Sequence, residues 1–327
     1  MNSPLARALI ALAFFAVPAV FTAVLAADAY PTRPVRFILP AAVGGSTDIV
    51  GRIMALQLSE RLGTQVVADN RAGAGGVIAM EMAAKATADG YTLLLVSASQ
   101  STQPALRKLP YDPVKSFVPV AKLASAFLAL VVHPGVPASS VQELIALARR
   151  KPGGIIFSGT GTGAHTTMAT ELFKIMAGID VLIVEYKSGG PAVIDLLGGH
   201  TQAMLATIAS VLPQIRSGKL GALATSGAGR SVLMPDTPTI AEAAVPGFAT
   251  VQWHGMLVPA GTPASLVDKL HAELKAILAL DETKKKLLNA GVEPDYLGPA
   301  EFGAFYRREM DQWASVIRKA NIKLKEQ

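Results

Sequence analysis

Residues 155–166 read IIFSGTGTGAHT, and this stretch decides which fold class the chain can adopt. Its apolar start at residues 155–157 is typical of a buried strand, and the glycines that follow are typical of a tight turn. From residue 166 to residue 177 the apolar side chains recur at helical spacing. A strand, a glycine-rich turn and a helix in this order indicate a parallel sheet covered by helices.

The same order of strand, turn and helix occurs four more times. Apolar runs at residues 37–39, 66–67, 93–96 and 181–184 lead into turns rich in glycine, serine or threonine at residues 42–47, 72–76, 97–102 and 188–191. Helical spacing predicts helices at residues 47–61, 77–85, 141–150, 166–177, 191–197, 266–280 and 301–325. We therefore expect an α/β fold with sheets rich in parallel strands.

The sequence pattern changes at two segments, residues 119–126 and 246–253. We expect these segments to carry the chain between two lobes. The first lobe would comprise residues 30–124 and 250–327, with residues 125–249 inserted as the second lobe. Two connecting strands permit the lobes to close about a hinge. Several helix N-termini facing one cleft, each with about half a positive charge, would hold an anion. The pattern favours a receptor for a small acid over an enzyme.

The first 29 residues are predicted to be a signal peptide. Arg7 precedes an apolar stretch at residues 8–25, and small residues at 26, 27 and 29 offer a cleavage site before Tyr30. An uncleaved anchor is the alternative, because ~18 apolar residues just span a bilayer. The chain has no cysteine, which excludes a lipid anchor on an N-terminal cysteine, disulfides and thiolate metal sites. The predicted location is the periplasm.

The charge balance gives a weak preference for acidic small ligands. The formal net charge is +6, but the basic clusters at residues 149–151 and 284–286 are typical of solvated helix ends. We therefore expect no nucleic-acid partner. The five histidines form no H-E-x-x-H motif, and no G-x-S-x-G elbow precedes a helix. We expect no catalytic residue, no metal and no cofactor.

One motif keeps an enzyme as an alternative. Residues 159–164 satisfy G-x-G-x-x-A between a strand and a helix, and Glu185 ends the next strand, where a ribose-binding acid would lie. This pattern is compatible with a dinucleotide-dependent oxidoreductase. The same backbone could equally hold a carboxylate, and a diffusible nicotinamide cofactor is scarce outside the cytoplasm.

Several blocks, taken together and in order, carry a family resemblance. They are LPAAVGGSTD at residues 39–48, DNRAGAGG at 69–76, DGYTLL at 89–94, LPYDPV at 109–114, YKSGGPA at 186–192, DLLGG at 195–199, PDTPT at 235–239 and PAGTP at 259–263. These blocks resemble the signatures of the Bug family, the TctC-like receptors of tripartite tricarboxylate transport. The resemblance covers nearly the whole chain after the predicted signal peptide.

The resemblance implies a periplasmic-binding-protein-like fold, in which two α/β lobes joined by crossing strands close over a small carboxylate. It also implies membrane transporter subunits as partners, although a sensor that presents its ligand to a membrane kinase would use the same fold. We expect a monomer. By position, the implied ligand-binding residues are Ala42, Gly45, Ser46, Thr47, Asp48, Ser97, Ser99, Thr102, Gly161, Thr162, Gly163, Ala164, His165, Lys187, Pro191 and Thr207.

Three of these side chains have alternative interpretations. Asp48 would repel an anion and is expected to cap its helix and brace the first loop. His165 could donate to a ligand carboxylate or cap its helix. Lys187 could pair with the ligand or remain solvated.

The chain also departs from the family pattern. Ala41 and Ala42 stand where relatives commonly have an aromatic residue and a proline, and Ala206 and Thr207 stand where many have an Asp or Asn pair. Loss of an acid removes a partner for a ligand amine. We therefore expect a plain carboxylate to bind better than an acidic amino acid.

Overall fold

The structure is a computed structural model that describes residues 30–323. Its elements in chain order are β1 (Val35–Leu39), α1 (Ser46–Leu62), β2 (Val66–Asn70), α2 (Val77–Ala84), β3 (Thr92–Ser97), α3 (Ala98–Leu106), β4 (Phe117–Ala126), β5 (Leu128–Val132), α4 (Val141–Arg150), β6 (Ile156–Gly159), α5 (His165–Ala177), β7 (Leu182–Glu185), α6 (Gly189–Leu197), β8 (Ala203–Thr207), α7 (Ile208–Arg216), β9 (Gly221–Thr225), α8 (Ile240–Ala243), β10 (Gln252–Pro259), α9 (Ala264–Ala279), α10 (Asp281–Asn289), β11 (Glu293–Leu297) and α11 (Pro299–Lys319). The predicted signal peptide lies outside the described residues. Within them, no helix combines the length and apolar character needed to cross a bilayer.

The strands form two mixed sheets. Sheet A has the order β11-β4-β10-β3-β1-β2, and sheet B has the order β7-β6-β8-β5-β9. In sheet A, β1 pairs in parallel with β2 and β3, whereas β10 runs antiparallel to β3 and β4. In sheet B, β6 pairs in parallel with β7 and β8, whereas β5 runs antiparallel to β8 and β9. The α/β fold expected from the sequence is confirmed.

The chain passes between the sheets at two adjacent points. The first passage is the single residue Phe127 between β4 and β5, and the second leads from β9 to β10. The buried Ser226 hydroxyl connects them, because it accepts a hydrogen bond from the Leu128 amide at 3.0 Å and donates one to the Thr250 carbonyl at 2.6 Å. One side chain therefore holds both passages together.

The C-terminal helix α11 packs against the cores of both sheets. Phe302 and Tyr306 belong to an apolar cluster on sheet A, whereas Trp313, Val316 and Ile317 belong to a cluster that surrounds sheet B. The range assigned to the first lobe therefore contains a segment that packs against the second sheet. The lobe boundaries stay a prediction.

The end of α11 differs from the helix predicted at residues 301–325. The helix stops at Lys319, and Asn321 adopts a left-handed conformation with φ of +50°. A residue with left-handed backbone angles cannot continue a right-handed helix, so the predicted helix was too long at its C-terminal end.

Candidate ligand-binding site

The predicted site residues lie at the carboxyl ends of parallel strands in both sheets. In sheet A, the connections from β1 to α1 and from β3 to α3 leave one edge, because β1 and β3 are parallel. In sheet B, β6, β7 and β8 lead into α5, α6 and α7 from one edge for the same reason. Each predicted residue lies at the end of one of these strands, in the connection after it or in the helix that follows.

The strand register places these two edges on either side of the crossing segments. His254 near the start of β10 pairs with Ser97 at the end of β3, and Leu128 at the start of β5 pairs with Thr207 at the end of β8. The chain therefore crosses between the sheets at the level of both carboxyl edges. Ligands of open α/β sheets bind outside such edges.

The two edges make direct contact at α3. The Thr102 hydroxyl oxygen approaches the carbonyl oxygen of Gly163 to 3.4 Å, while its proton is donated to the Ser99 carbonyl at 2.8 Å. A Cβ atom placed on Gly163 would lie 2.8 Å from Cδ1 of Leu106. The predicted residues of α3 and of the turn before α5 are thus brought together across the lobes.

Asp48 supports the first loop from beneath. Its side chain is 3% exposed, and its carboxylate accepts hydrogen bonds from the Gly44 amide at 2.9 Å and from Arg52 Nε at 2.9 Å. Asn70 Nδ2 donates a further bond at 2.8 Å. Burial alone would raise the pKa of Asp48, but the hydrogen bonds from Arg52, Gly44 and Asn70 outweigh it and hold the pKa below its ordinary value. The geometry agrees with bracing of the loop and leaves the carboxylate no free face toward an anion.

The rest of this loop is open to solvent. Ala42 and Gly45 are exposed, Ser46 is half-buried and Thr47 is buried. No side chain caps α1, whose N-cap residue is Gly45. Backbone N–H groups of the first turn are therefore available to a ligand.

The turn before α3 contributes one free hydroxyl. Ser97 is buried, and its hydroxyl donates to Gln100 Oε1 at 2.9 Å. The Thr102 hydroxyl donates to the Ser99 carbonyl at 2.8 Å. The half-buried Ser99 hydroxyl has no hydrogen-bond partner among residues 30–323. Ser99 is therefore better placed to donate to a ligand than Ser97 or Thr102.

The turn before α5 depends on two glycines. Gly161 and Gly163 have φ values of +102° and +80°, which side chains other than glycine rarely adopt. Thr162 donates to both carboxylate oxygens of Glu185 at 2.9 Å, which fixes the turn to the end of β7. The acid that would hold a ribose in a dinucleotide site is thus bonded by the turn itself. Ala164 is the N-cap residue of α5 and caps no N–H.

The His165 side chain does not cap its helix, and its contact with a ligand stays a prediction. Its ring is buried against Trp313 with the ring centroids 5.5 Å apart, and Nε2 lies 3.2 Å from the Thr250 hydroxyl. Ala164 is the N-cap residue of α5, and the His165 side chain does not cap this helix. Burial, with a smaller contribution from His254, lowers the pKa of His165 to about 3. The ring is neutral and belongs to the junction between the lobes; only its backbone N–H lies in the first turn of α5.

His254 is a residue of this junction that the sequence did not single out. Its Nε2 lies 3.3 Å from the Thr47 hydroxyl, and burial lowers its pKa to about 3, with Lys122 adding to the effect. Nothing in the strand sequence around it signals a partner in α1. The contact becomes visible only in the fold.

The remaining predicted residues lie on the edge of sheet B. Lys187 is exposed just before α6 and Pro191 is exposed in its first turn, and Lys187 forms no ion pair within the described part of the chain. Thr207 is half-buried at the N-terminus of α7, where its hydroxyl donates to Ser210 Oγ at 3.1 Å. Lys187 is exposed, and its pairing with a ligand stays a prediction.

The helix ends at this site differ from two helix ends elsewhere. Side chains of the N-cap residues make no cap bond to α1, α5, α6 or α7. By contrast, Ser140 caps α4 and Thr239 caps α8. Free N–H groups and the helix dipole favour a bound anion. Among residues 30–323, no group of three His, Asp or Glu side chains could hold a metal ion.

Comparison with known proteins agrees with this geometry. The family model described as tripartite tricarboxylate transporter family receptor, TctC, matches residues 50–322. Protein BugT of Bordetella pertussis (strain Tohama I) is 37% identical over 322 residues, which cover 98% of this chain and 99% of BugT. The solved structure of R. palustris Rpa4515 with adipate is 34% identical, covers 90% of this chain and 99% of its own, and superposes with a TM-score of 0.78.

A second solved structure, MatC from Rhodopseudomonas palustris with bound malate, is 29% identical with a TM-score of 0.74. The match covers 88% of this chain and 100% of MatC. The match spans both sheets and the crossing segments, so the resemblance seen in the sequence blocks is confirmed. The chain belongs to the TctC family of solute-binding receptors, the family that includes the Bug proteins.

Proposed function

We propose that this protein captures a small carboxylate between its two lobes and presents it to a membrane transporter. The observation that carries the proposal is the Thr102–Gly163 contact, which brings the uncapped helix ends of sheet B opposite α3 of sheet A. A ligand held there receives N–H donors from both lobes. Adipate and malate in the related structures support a dicarboxylate.

Backbone groups supply most of the binding energy in this proposal. Hydrogen bonds to a charged acceptor each contribute about 1.5–3 kcal/mol net, which offsets the removal of water from the carboxylate. The Ser99 hydroxyl adds a side-chain donor, and Gly161 and Gly163 let the backbone approach closely. Asp48 holds the first loop and contacts no ligand.

Capture proceeds by lobe closure. An acid that bridges the two edges gains donors from each lobe only when the lobes are closed, so binding shifts the equilibrium toward the closed form. The hinge is the pair of passages joined by Ser226. A membrane partner then recognises the closed form. The family description supports a transporter as that partner, and the predicted signal peptide supports the periplasm as the location.

Titration calorimetry tests the proposal with adipate, malate, glutamate and a nicotinamide dinucleotide. We expect saturable binding of a dicarboxylate and none of the dinucleotide. Binding of the dinucleotide alone would contradict the proposal and restore the oxidoreductase alternative.

A further inference from the structure

A cavity separate from the proposed carboxylate site lies between the crossing segments and helix α11. It has a volume of about 560 Å³, within the range of small-molecule sites. In sheet A, β4 and β10 separate β11 from β3, β1 and β2. The cavity is lined by Asp295 of β11 and by residues of α11, whereas the proposed carboxylate site lies at β1 and β3. The two sites are therefore on opposite sides of the hinge.

Both crossing segments contribute to the cavity wall. Phe127 belongs to the first passage, residues 249–251 belong to the second, and Ala228 and Gly229 follow β9. Helix α11 closes the remaining side. Because a rotation of the lobes moves these segments relative to α11, the shape of the cavity depends on lobe closure.

Lys122 and Asp295 in the cavity wall form an ion pair with each other. The Lys122 side chain is 6% exposed, and its ammonium donates to Asp295 Oδ2 at 2.5 Å. Ser125 Oγ donates to the same oxygen at 2.6 Å. The Lys122 ammonium also lies 4.5 Å from the centroid of the Phe305 ring. This group leaves no net charge for a ligand to neutralise.

Two further groups of opposite charge, Arg308 and Glu309, form no ion pair within residues 30–323; burial raises the pKa of Glu309, and the nearby Arg308 charge opposes this effect. Glu309 is 9% exposed, and its Oε2 accepts hydrogen bonds from Trp253 Nε1 at 2.8 Å and Trp313 Nε1 at 3.2 Å. Its Oε1 has no hydrogen-bond partner in the described part of the chain. Arg308 is exposed, lines the same cavity and forms no ion pair within residues 30–323. The cavity thus offers one free acceptor and one free guanidinium.

We propose that this cavity binds a zwitterionic amino acid with an apolar or aromatic side chain. The ligand carboxylate pairs with the Arg308 guanidinium, and the ligand ammonium donates to Glu309 Oε1. The side chain packs against the rings of Phe127 and Phe305, which line the cavity. Since both crossing segments form the wall, occupancy is coupled to lobe closure and therefore to binding in the main cleft.

Tryptophan fluorescence reports on this cavity directly. The chain has two tryptophans, and both donate to Glu309 in the cavity wall. The ligand used as a probe is phenylalanine, which does not absorb at the wavelength that excites tryptophan fluorescence. Hydrocinnamate lacks the ammonium group, and phenethylamine lacks the carboxylate. We expect a saturable change with phenylalanine and at least about tenfold weaker binding of each analogue, a difference of roughly 1.4 kcal/mol.

A matched pair of variants locates the binding. Arg308→Gln removes the guanidinium that lines the cavity. Arg307→Gln removes a guanidinium from the neighbouring residue, which does not line the cavity. Both side chains are exposed, so folding is not at risk. Arg308→Gln should weaken phenylalanine binding at least tenfold, and Arg307→Gln should leave it unchanged. A wild-type protein without a saturable change, equal binding of either analogue, or unchanged binding in Arg308→Gln would each overturn the proposal.

Discussion

The Thr102 hydroxyl and the carbonyl oxygen of Gly163 lie 3.4 Å apart and join a helix of sheet A to a turn of sheet B. The same turn meets Leu106, because a Cβ on Gly163 would lie 2.8 Å from its Cδ1 atom. The contact places the two carboxyl edges within reach of one small ligand. A side chain at position 163 would therefore obstruct this contact between the two sheets.

Gly163→Ala should weaken carboxylate binding about tenfold or more. The added Cβ meets Leu106 only when the lobes are in contact, so the closed form is destabilised relative to the open form. The φ of +80° adds strain of roughly 1–2 kcal/mol. Titration of the carboxylate that binds the wild type measures the effect.

Gly218→Ala is the control for strain alone. Gly218 has a φ of +71°, but a Cβ there meets nothing within 4 Å. It should lower the melting temperature to a similar extent and leave the affinity unchanged. Equal affinity in Gly163→Ala and the wild type would remove this turn from the site.

Asp48→Asn should destabilise the protein and loosen the first loop. The change removes a buried charge that accepts from Gly44, Arg52 and Asn70, at a cost of about 1–3 kcal/mol. Chemical denaturation measures the stability. Asp268→Asn is the control, because Asp268 is exposed on α9 and forms no ion pair among residues 30–323. A stability loss no larger than that of the control would show that the brace is dispensable.

The sequence predicted the local pattern well and the long-range contacts poorly. Apolar periodicity is set by neighbours in the chain, so it located the strand, turn and helix at IIFSGTGTGAHT and the same order elsewhere. The roles of His165 depended on Thr250 and Trp313, which lie far away in the chain. The same holds for the Thr47–His254 contact. No local pattern encodes such partners, because the fold alone brings them together.

Thr207→Asp should improve the binding of glutamate relative to its non-amino analogue glutarate. Thr207 lies at the N-cap of α7 on the edge of sheet B, and an acid there gives a partner to a ligand ammonium. Aspartate is also favoured at N-caps, so the helix should persist. The wild type should prefer glutarate, and calorimetry with both ligands measures the ratio.

Ser140→Asp provides the matched control for this change. It places the same charge at the N-cap of α4, outside the five connections that form the proposed site. It should leave the preference unchanged. A wild type that binds glutamate more tightly than glutarate would contradict the expectation drawn from Ala206 and Thr207.

Stability should fall as the pH drops from 7 toward 4, and His165 and His254 should account for much of the loss. Burial lowers the pKa of both rings to about 3, whereas an unfolded histidine titrates near 6.5. Between these values the unfolded chain binds more protons than the folded protein, so stability rises with pH across this window and is lost as the pH falls. At pH 5 each ring would contribute a loss of about 2 kcal/mol relative to neutral pH.

Denaturation midpoints measured from pH 7.5 to 4.5 should show a shallower slope for His254→Asn than for the wild type, and the exposed His200→Asn should keep the wild-type slope. A wild-type slope in His254→Asn would show that its ring takes up a proton without unfolding.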